Sequence, residues 1–272
     1  MVNREKFVAP PAPRAASPQP ASYDGPTDFV SLPSKGKFYP SQHPLHNVTE
    51  VQVKFMTTKE EDILSSPSYN KKGIVFDKLI ESVCLNKNIK ANTLLLGDKN
   101  SIIINARKNA YGENYEIDTT CMHCYGVQAV NIDLSALTNK EVDYSQYDFT
   151  DNGTFVIELP RSKKKVELKL LTGEDEKQIE KRAEQKAKHG LPEETISDRY
   201  RQMIVAVDGE GDLFTINNFI ATLPIMDSRY LRKKYEELTP DVNFIFKYAC
   251  EHCDEENEGG VPIMGNFFWP DI

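Results

Sequence analysis

The sequence predicts an α+β fold, with mixed helices and short antiparallel strands. Three observations carry this. Segments with apolar residues at every second position alternate with segments showing helical spacing. Turn residues such as Gly112, Gly190 and Pro224 punctuate them. Two C-x-x-C motifs, each following an alternating apolar stretch, are separated by 125 residues.

In chain order, residues 1–27 are rich in Pro, Ala and Ser and lack apolar periodicity, the composition of a disordered arm. Order is expected from "DFVSLPSKGKFYP", broken into turns at Gly36 and Pro40. Val48, Val51, Val53 and Phe55 alternate as in a strand. Thr58 with Glu61 reads as a capping box opening a short helix. Phe76, Leu79, Ile80, Val83 and Cys84 share one helical face, which makes Cys84 a core residue. "SIIINARKNAYG" reads as a helix stopped by Gly112, and the Gly-Asp of "LLLGDKNS" as a turn before it. "NYEIDTTCMHCYGVQAVNIDL" reads as strand, knuckle, strand.

"GTFVIELPRSKKKVELKLLT" is a hairpin turning near Arg161 to Lys164. A helix capped by Thr172 and ended by Gly190 should follow. Its thin stripe of Ile179, Ala183 and Ala187 implies an exposed helix or one that needs a partner. Further on, Tyr200, Ile204 and Val207 share a helical face. So do Ile216, Phe219, Ile220 and Leu223, and after Pro224 so do Leu231, Tyr235 and Leu238, with Asp227 as a cap. "NFIFKYACEHC" returns to strand. The implied organisation is an arm over 1–27, an α+β region over 28–111, and a domain over 112–272 with a hairpin and helices inserted at about 154–238.

Cys121 and Cys124, and Cys250 and Cys253, form the two knuckles. Tyr115 and Ile117 precede the first, and Phe244 and Phe246 the second. Gly126, Gly259 and Gly260 follow, as a tight turn around sulfur requires. Four thiolates form a closed tetrahedral zinc site, so the expectation is a split zinc ribbon with one structural zinc per chain. The zinc would pin the C-terminal segment to the middle of the chain. A redox C-x-x-C lacks its strand-to-helix context here. Four unrelated thiols, or a fold that has lost its metal, stay open. His123 and His252 read as exposed turn residues.

The net charge of −8 opposes general affinity for nucleic acid or acidic membranes. No apolar run spans a bilayer, and five cysteines do not suggest a secreted disulfide framework, so a reducing cytosol is expected. No phosphate-cradling loop, nucleophile elbow or H-E-x-x-H is found, and "HPLH" at His43 and His46 reads as a solvated loop. No catalytic residue or small-molecule substrate is expected. Residues 161–190 carry ten basic and six acidic residues, the one feature favouring a nucleic-acid-binding zinc ribbon. The acidic "DEENE" beside Cys253 opposes it. In "GNFFWP", Phe267, Phe268 and Trp269 read as a buried anchor closing the ribbon's apolar face, with an exposed hot spot as the alternative.

"LPSKGKFYP", "LLLGDKNSIIINARKNAYGENYEIDTTCMHC", "FIATLPIMDSRYLRKKYEELTPDV" and "CEHCDEENEGGVPIMGNFFWP" occur in this order. Together they resemble the baseplate protein family of T4-like contractile-tailed phages, linked to the baseplate hub and its assembly, over residues 28–272. "ELKLLTGEDEKQIEKRAE" also resembles tail-assembly chaperones of other phages. The resemblance implies a non-enzymatic protein acting in the host cytoplasm during assembly. It would contact hub, tape-measure or other tail proteins, and the virion tail baseplate is its other implied location.

Overall fold

The alternation at Val51 and Val53 does form a strand, β2 (Glu50–Lys54), with both valines buried. Its partner is β1 (Thr27–Ser31), antiparallel and in register from Thr27 opposite Lys54 to Ser31 opposite Glu50. The computed structural model describes residues 23–263, apart from 146, 148 and 193, and residues 265–268. Most of the expected disordered arm therefore lies outside the described residues, and so does Trp269.

Helix α1 (Thr58–Ser65) begins one residue earlier than the Thr58–Glu61 box requires. The carboxylate of Glu60 accepts from the Thr57 amide at 2.9 Å and from its hydroxyl at 2.7 Å. Glu60 wins because it also meets Lys54 at 2.7 Å and Ser82 at 2.5 Å, and it is fully buried. After α2 (Pro67–Lys71) comes α3 (Val75–Val83), which buries Leu79, Ile80 and Val83 as its periodicity requires. Cys84 is buried with them.

Helix α4 (Leu96–Tyr111) starts before Ser101 and takes in the Gly-Asp pair, so that pair is not a turn. Gly97 lies against the backbone of Pro240, where no side chain fits. Asp98 is fully buried and accepts from the Ser34 amide at 3.0 Å, the Ser34 hydroxyl at 2.6 Å and the Tyr39 hydroxyl at 2.7 Å. It thereby fixes "LPSKGKFYP" onto α4. His43 is part of the same packing: its ring stacks on Tyr39 with centroids 4.3 Å apart and meets the Thr93 hydroxyl at 2.9 Å. "HPLH" is thus a packed loop rather than a solvated one. Gly112 ends α4 at φ +86°, a conformation open to glycine.

Strands β3 (Asn114–Thr120) and β4 (Val127–Asp133) form the first knuckle hairpin. Strands β5 (Phe155–Glu158) and β6 (Lys165–Leu168) form the next hairpin, as expected. Helix α5 (Gly173–Lys188) carries the expected cap: the Thr172 hydroxyl accepts from the Asp175 amide while the Asp175 carboxylate accepts from the Thr172 amide. Its first half docks on α3, and near its end Lys186 pairs with Asp198 at 2.7 Å. Asp77 of α3 is clasped between Lys99 of α4 and Lys177 of α5, whereas Ala187 is exposed.

The helix expected through Tyr200, Ile204 and Val207 is two elements. Helix α6 (Thr195–Met203) stops, and Ile204–Val207 is strand β7, which pairs with β6 to make a three-stranded sheet. Three β-branched residues in "IVAV" suit a pleated, buried site better than a helix interior. Helices α7 (Leu213–Thr222) and α8 (Ile225–Leu238) follow. Asp227 does not cap its own helix. It is fully buried and accepts from the amides of Arg161 and Ser162, each at 2.9 Å, so it caps the β5–β6 turn instead. The last strands are β8 (Ile245–Ala249) and β9 (Glu256–Gly260), an antiparallel pair. Among the described residues the sheets are therefore four small antiparallel ones, set among eight α-helices, which is the α+β class. None of these helices is long and apolar enough to cross a membrane.

Phe267 and Phe268 are fully buried, as an anchor requires, but their seat is broader than the ribbon. Phe267 meets Tyr115 of β3 edge-on at 5.0 Å, and Phe268 packs on Phe76 of α3 and Tyr111 of α4. Arg107 of α4, fully buried, donates to the carbonyls of Phe267 at 2.9 Å, Gly112 at 3.0 Å and Asn114 at 3.3 Å.

Candidate metal centre

The two knuckle hairpins are built alike. Thr120 pairs with Val127 across the first and Ala249 with Glu256 across the second, leaving six residues to turn in each. In the first turn the Cys121 amide donates to the Gly126 carbonyl at 2.9 Å, and the Tyr125 amide to the Cys121 carbonyl at 3.0 Å. In the second the Cys250 amide donates to the Glu255 carbonyl at 3.0 Å, and the Asp254 amide to the Cys250 carbonyl at 2.9 Å.

The left-handed residue that closes each turn is not a glycine. It is Tyr125 at φ +60° and Asp254 at φ +58°. The glycines serve close approach instead. A side chain on Gly126 would collide with the His252 ring, and one on Gly259 with the Phe246 ring. His252 is exposed, yet its Nε2 lies 3.1 Å from the Val127 carbonyl, so it joins the two turns. His123 is exposed, as expected.

The hairpins face each other through their inner sides. Tyr115, Ile117, Gln128 and Ile132 point inward from one, and Phe246, Tyr248 and Asn257 from the other. Gln128 and Asn257 are a matched pair that sequence reading did not single out. Each stands four residues after the second cysteine of a motif, and each is buried. Gln128 donates to the Ala249 carbonyl at 3.2 Å and accepts from the Glu251 amide at 2.8 Å. Asn257 accepts from the Met122 amide at 3.1 Å and donates to the Glu255 carbonyl at 2.8 Å. The available signal was a polar amide at an inward position of both alternating strands.

This packing brings all four sulfurs within 4.8 Å of one another. Cys121 Sγ lies 3.8 Å from Cys253 Sγ, and Cys124 Sγ 3.6 Å from Cys250 Sγ. A disulfide needs about 2.05 Å, so these are thiols. Sulfurs about 2.3 Å from a shared tetrahedral centre stand roughly 3.8 Å apart, so the cluster fits a metal ion. Backbone amides stabilise the sulfurs: His123 donates to Cys121 at 3.3 Å, Gly126 to Cys124 at 3.4 Å and His252 to Cys250 at 3.4 Å. The Cys124 amide, followed by that of His123, draws the Cys121 thiol down to about 6. At Cys253 the Glu255 amide acts downward, but burial and the neighbouring cysteines outweigh it and push the thiol up to about 12. Four adjacent thiols cannot all ionise without a cation among them. Cys121 and Cys250 are buried, Cys253 is half-buried and Cys124 is exposed. Cys84 is buried elsewhere in the core and is no part of the cluster.

Fold and cluster together define a class: an acidic α+β protein whose four-cysteine centre is assembled from two distant hairpins. Residues 26–269 match the family described as T4 bacteriophage base plate protein, and the match includes both knuckles. The chain belongs to that family of phage baseplate proteins. No curated protein and no solved structure matches it.

Proposed function

We propose that the chain is a structural or assembly component of the phage tail baseplate hub. In this reading Cys121, Cys124, Cys250 and Cys253 hold one structural zinc, and the protein acts through protein contacts rather than catalysis. One observation carries it: the family match spans two hairpins that are far apart in sequence and that meet at the four-sulfur cluster. A zinc with four protein ligands keeps no position for substrate or water, so its role is to fix shape. It would tie β3–β4 to β8–β9 and so hold the chain's last segment against its middle. Assembly in the host cytoplasm and contacts with hub or tape-measure proteins follow from the family membership as expectations.

The nucleic-acid reading gains little from the basic run, part of whose charge is engaged within the chain. Lys169 pairs with Asp175 at 2.7 Å, Lys177 with Asp77, and Lys186 with Asp198 at 2.7 Å.

The test has two parts. Elemental mass spectrometry of the purified protein should give one zinc per chain, reduced in Cys253→Ser and retained in Cys84→Ser. Sedimentation with baseplate and hub components should show co-migration or a change in their assembly. Absence of both results would overturn the proposal.

A further inference from the structure

The ribbon has an outer face that nothing among the described residues covers. On β3–β4, Glu116, Asp118 and Thr120 stand opposite Asn131, Ala129 and Val127, and all six are exposed. At the tip the turn presents large apolar side chains: Met122 is 74% exposed, Tyr125 77% and Val127 61%. Residues of this size are not left in water by the needs of the fold. The inner side of the same strands already supplies the packing, and the tip side chains contribute nothing to it. A cluster of apolar side chains with a polar rim marks an interaction surface.

Charge decides what fits this surface. Residues 113–133 and 245–260 hold nine acidic and one basic side chain, out of 41 acidic and 33 basic in the whole protein. The remainder therefore holds 32 of each and is neutral. The net −8 of the molecule resides entirely in the two knuckle hairpins. Glu251, Asp254, Glu255, Glu256 and Glu258 are all exposed there, and Lys247 is held by Glu258 at 3.2 Å. Such a field repels DNA, RNA and anionic membranes. It also repels the same face of a second copy.

We infer that the tip of the first knuckle, centred on Met122, Tyr125 and Val127, docks into a basic protein surface bearing an apolar recess. Opposite charge on the partner's rim would steer encounter, and the buried Met122 and Tyr125 would anchor the complex. This rests on the baseplate reading, which supplies the partner's setting but not its chemistry.

The test places a photo-crosslinker in the full-length protein as Tyr125→p-benzoylphenylalanine. The same probe at Phe214, an exposed residue of α7 (76%), serves as control. Each is irradiated with the separately purified tail proteins of the same phage. The expected result is a Tyr125 adduct on a segment of net positive charge. Its yield should fall at least tenfold between about 0.05 and about 0.5 M salt. It should fall similarly in a Glu251→Gln, Asp254→Asn, Glu255→Gln, Glu256→Gln variant, and in Met122→Ala. These exposed positions can change without loss of the core.

A Tyr125 adduct on a second copy, on nucleic acid, or independent of salt would overturn the inference. So would silence at Tyr125 while Phe214 captures tail proteins, an outcome that leaves the baseplate reading intact. Silence at both positions would also overturn the inference, while the sedimentation test decides the baseplate reading separately.

Discussion

Arg107→Met should cost about 3 kcal/mol, and the figure comes from two opposed effects. Arg107 is fully buried, with no carboxylate partner among the described residues. It is satisfied by three carbonyls and by the rings of Tyr111 and Tyr115, 5.3 and 5.9 Å from the guanidinium carbon. Methionine keeps the length and the apolar stem but removes every one of these contacts. The carbonyls of Gly112 and Asn114 belong to exposed residues and can take up water, so each loss costs about 1 kcal/mol. The Phe267 carbonyl has no such recourse and costs about 2–3 kcal/mol. Lost cation–π contacts add roughly 1 kcal/mol.

Against this, the variant no longer buries a charge. Burial already lowers the Arg107 pKa, so a return of roughly 2–3 kcal/mol is expected. A net loss near 3 kcal/mol corresponds to a Tm about 6–12 °C lower for a chain of this size. Thermal unfolding measures the loss. Hydrogen exchange over residues 112–116 and 265–268 should speed up more than over β5–β6, because Arg107 joins those two segments to α4. A ΔΔG below about 1 kcal/mol, or uniform exchange, would refute the reasoning and make Arg107 a tolerated charge rather than a tie.

Glu60 supplies a pH test. Burial pushes its pKa up, but Lys54, Ser82 and Thr57 outweigh that and hold it at about 2, against an ordinary 4.5. Its folded pKa is depressed, so its contribution is present above 4.5 and lost as pH falls from 4.5 towards 2. An acid titration of stability should lose about 2–3 kcal/mol over that window, and Glu60→Gln should flatten that limb. Gly97→Ala should destabilise by at least about 2 kcal/mol in thermal melts, because the added methyl meets the Pro240 backbone, which cannot swing aside. Gln128→Ala and Asn257→Ala should each weaken retention of the proposed zinc, measured by chelator competition, by about 10–100-fold. A fall in only one of them would show that the two halves of the ribbon are not equivalent.

Much of this was legible because the signals are local. Alternation specified β2 and the β3–β4 hairpin, helical spacing specified α3, and Thr172 as a cap specified the start of α5. The pairing of Cys121 and Cys124 with Cys250 and Cys253 was readable for another reason. Matched spacing and flanks imply matched turns, and a thiolate pair is half a tetrahedron. What misled were residues whose local role was overridden from a distance. Asp227 sits where a cap belongs, yet the amides of Arg161 and Ser162, 66 and 65 residues away, claim its carboxylate. Ile204 and Val207 keep helical spacing with Tyr200, but an open edge on β6 recruits them as a strand.

The sequence by itself thus determined the class, the knuckles and most of the elements, because propensity, capping and turn chemistry act over a few residues. Only the tertiary structure decided which buried polar group answers which. Asp98 reaches to Ser34, Arg107 to Phe267, and Gln128 and Asn257 each reach across to the opposite hairpin. A buried charge or amide must be satisfied by whatever donor or acceptor packing brings within about 3 Å, and packing is a property of the whole chain.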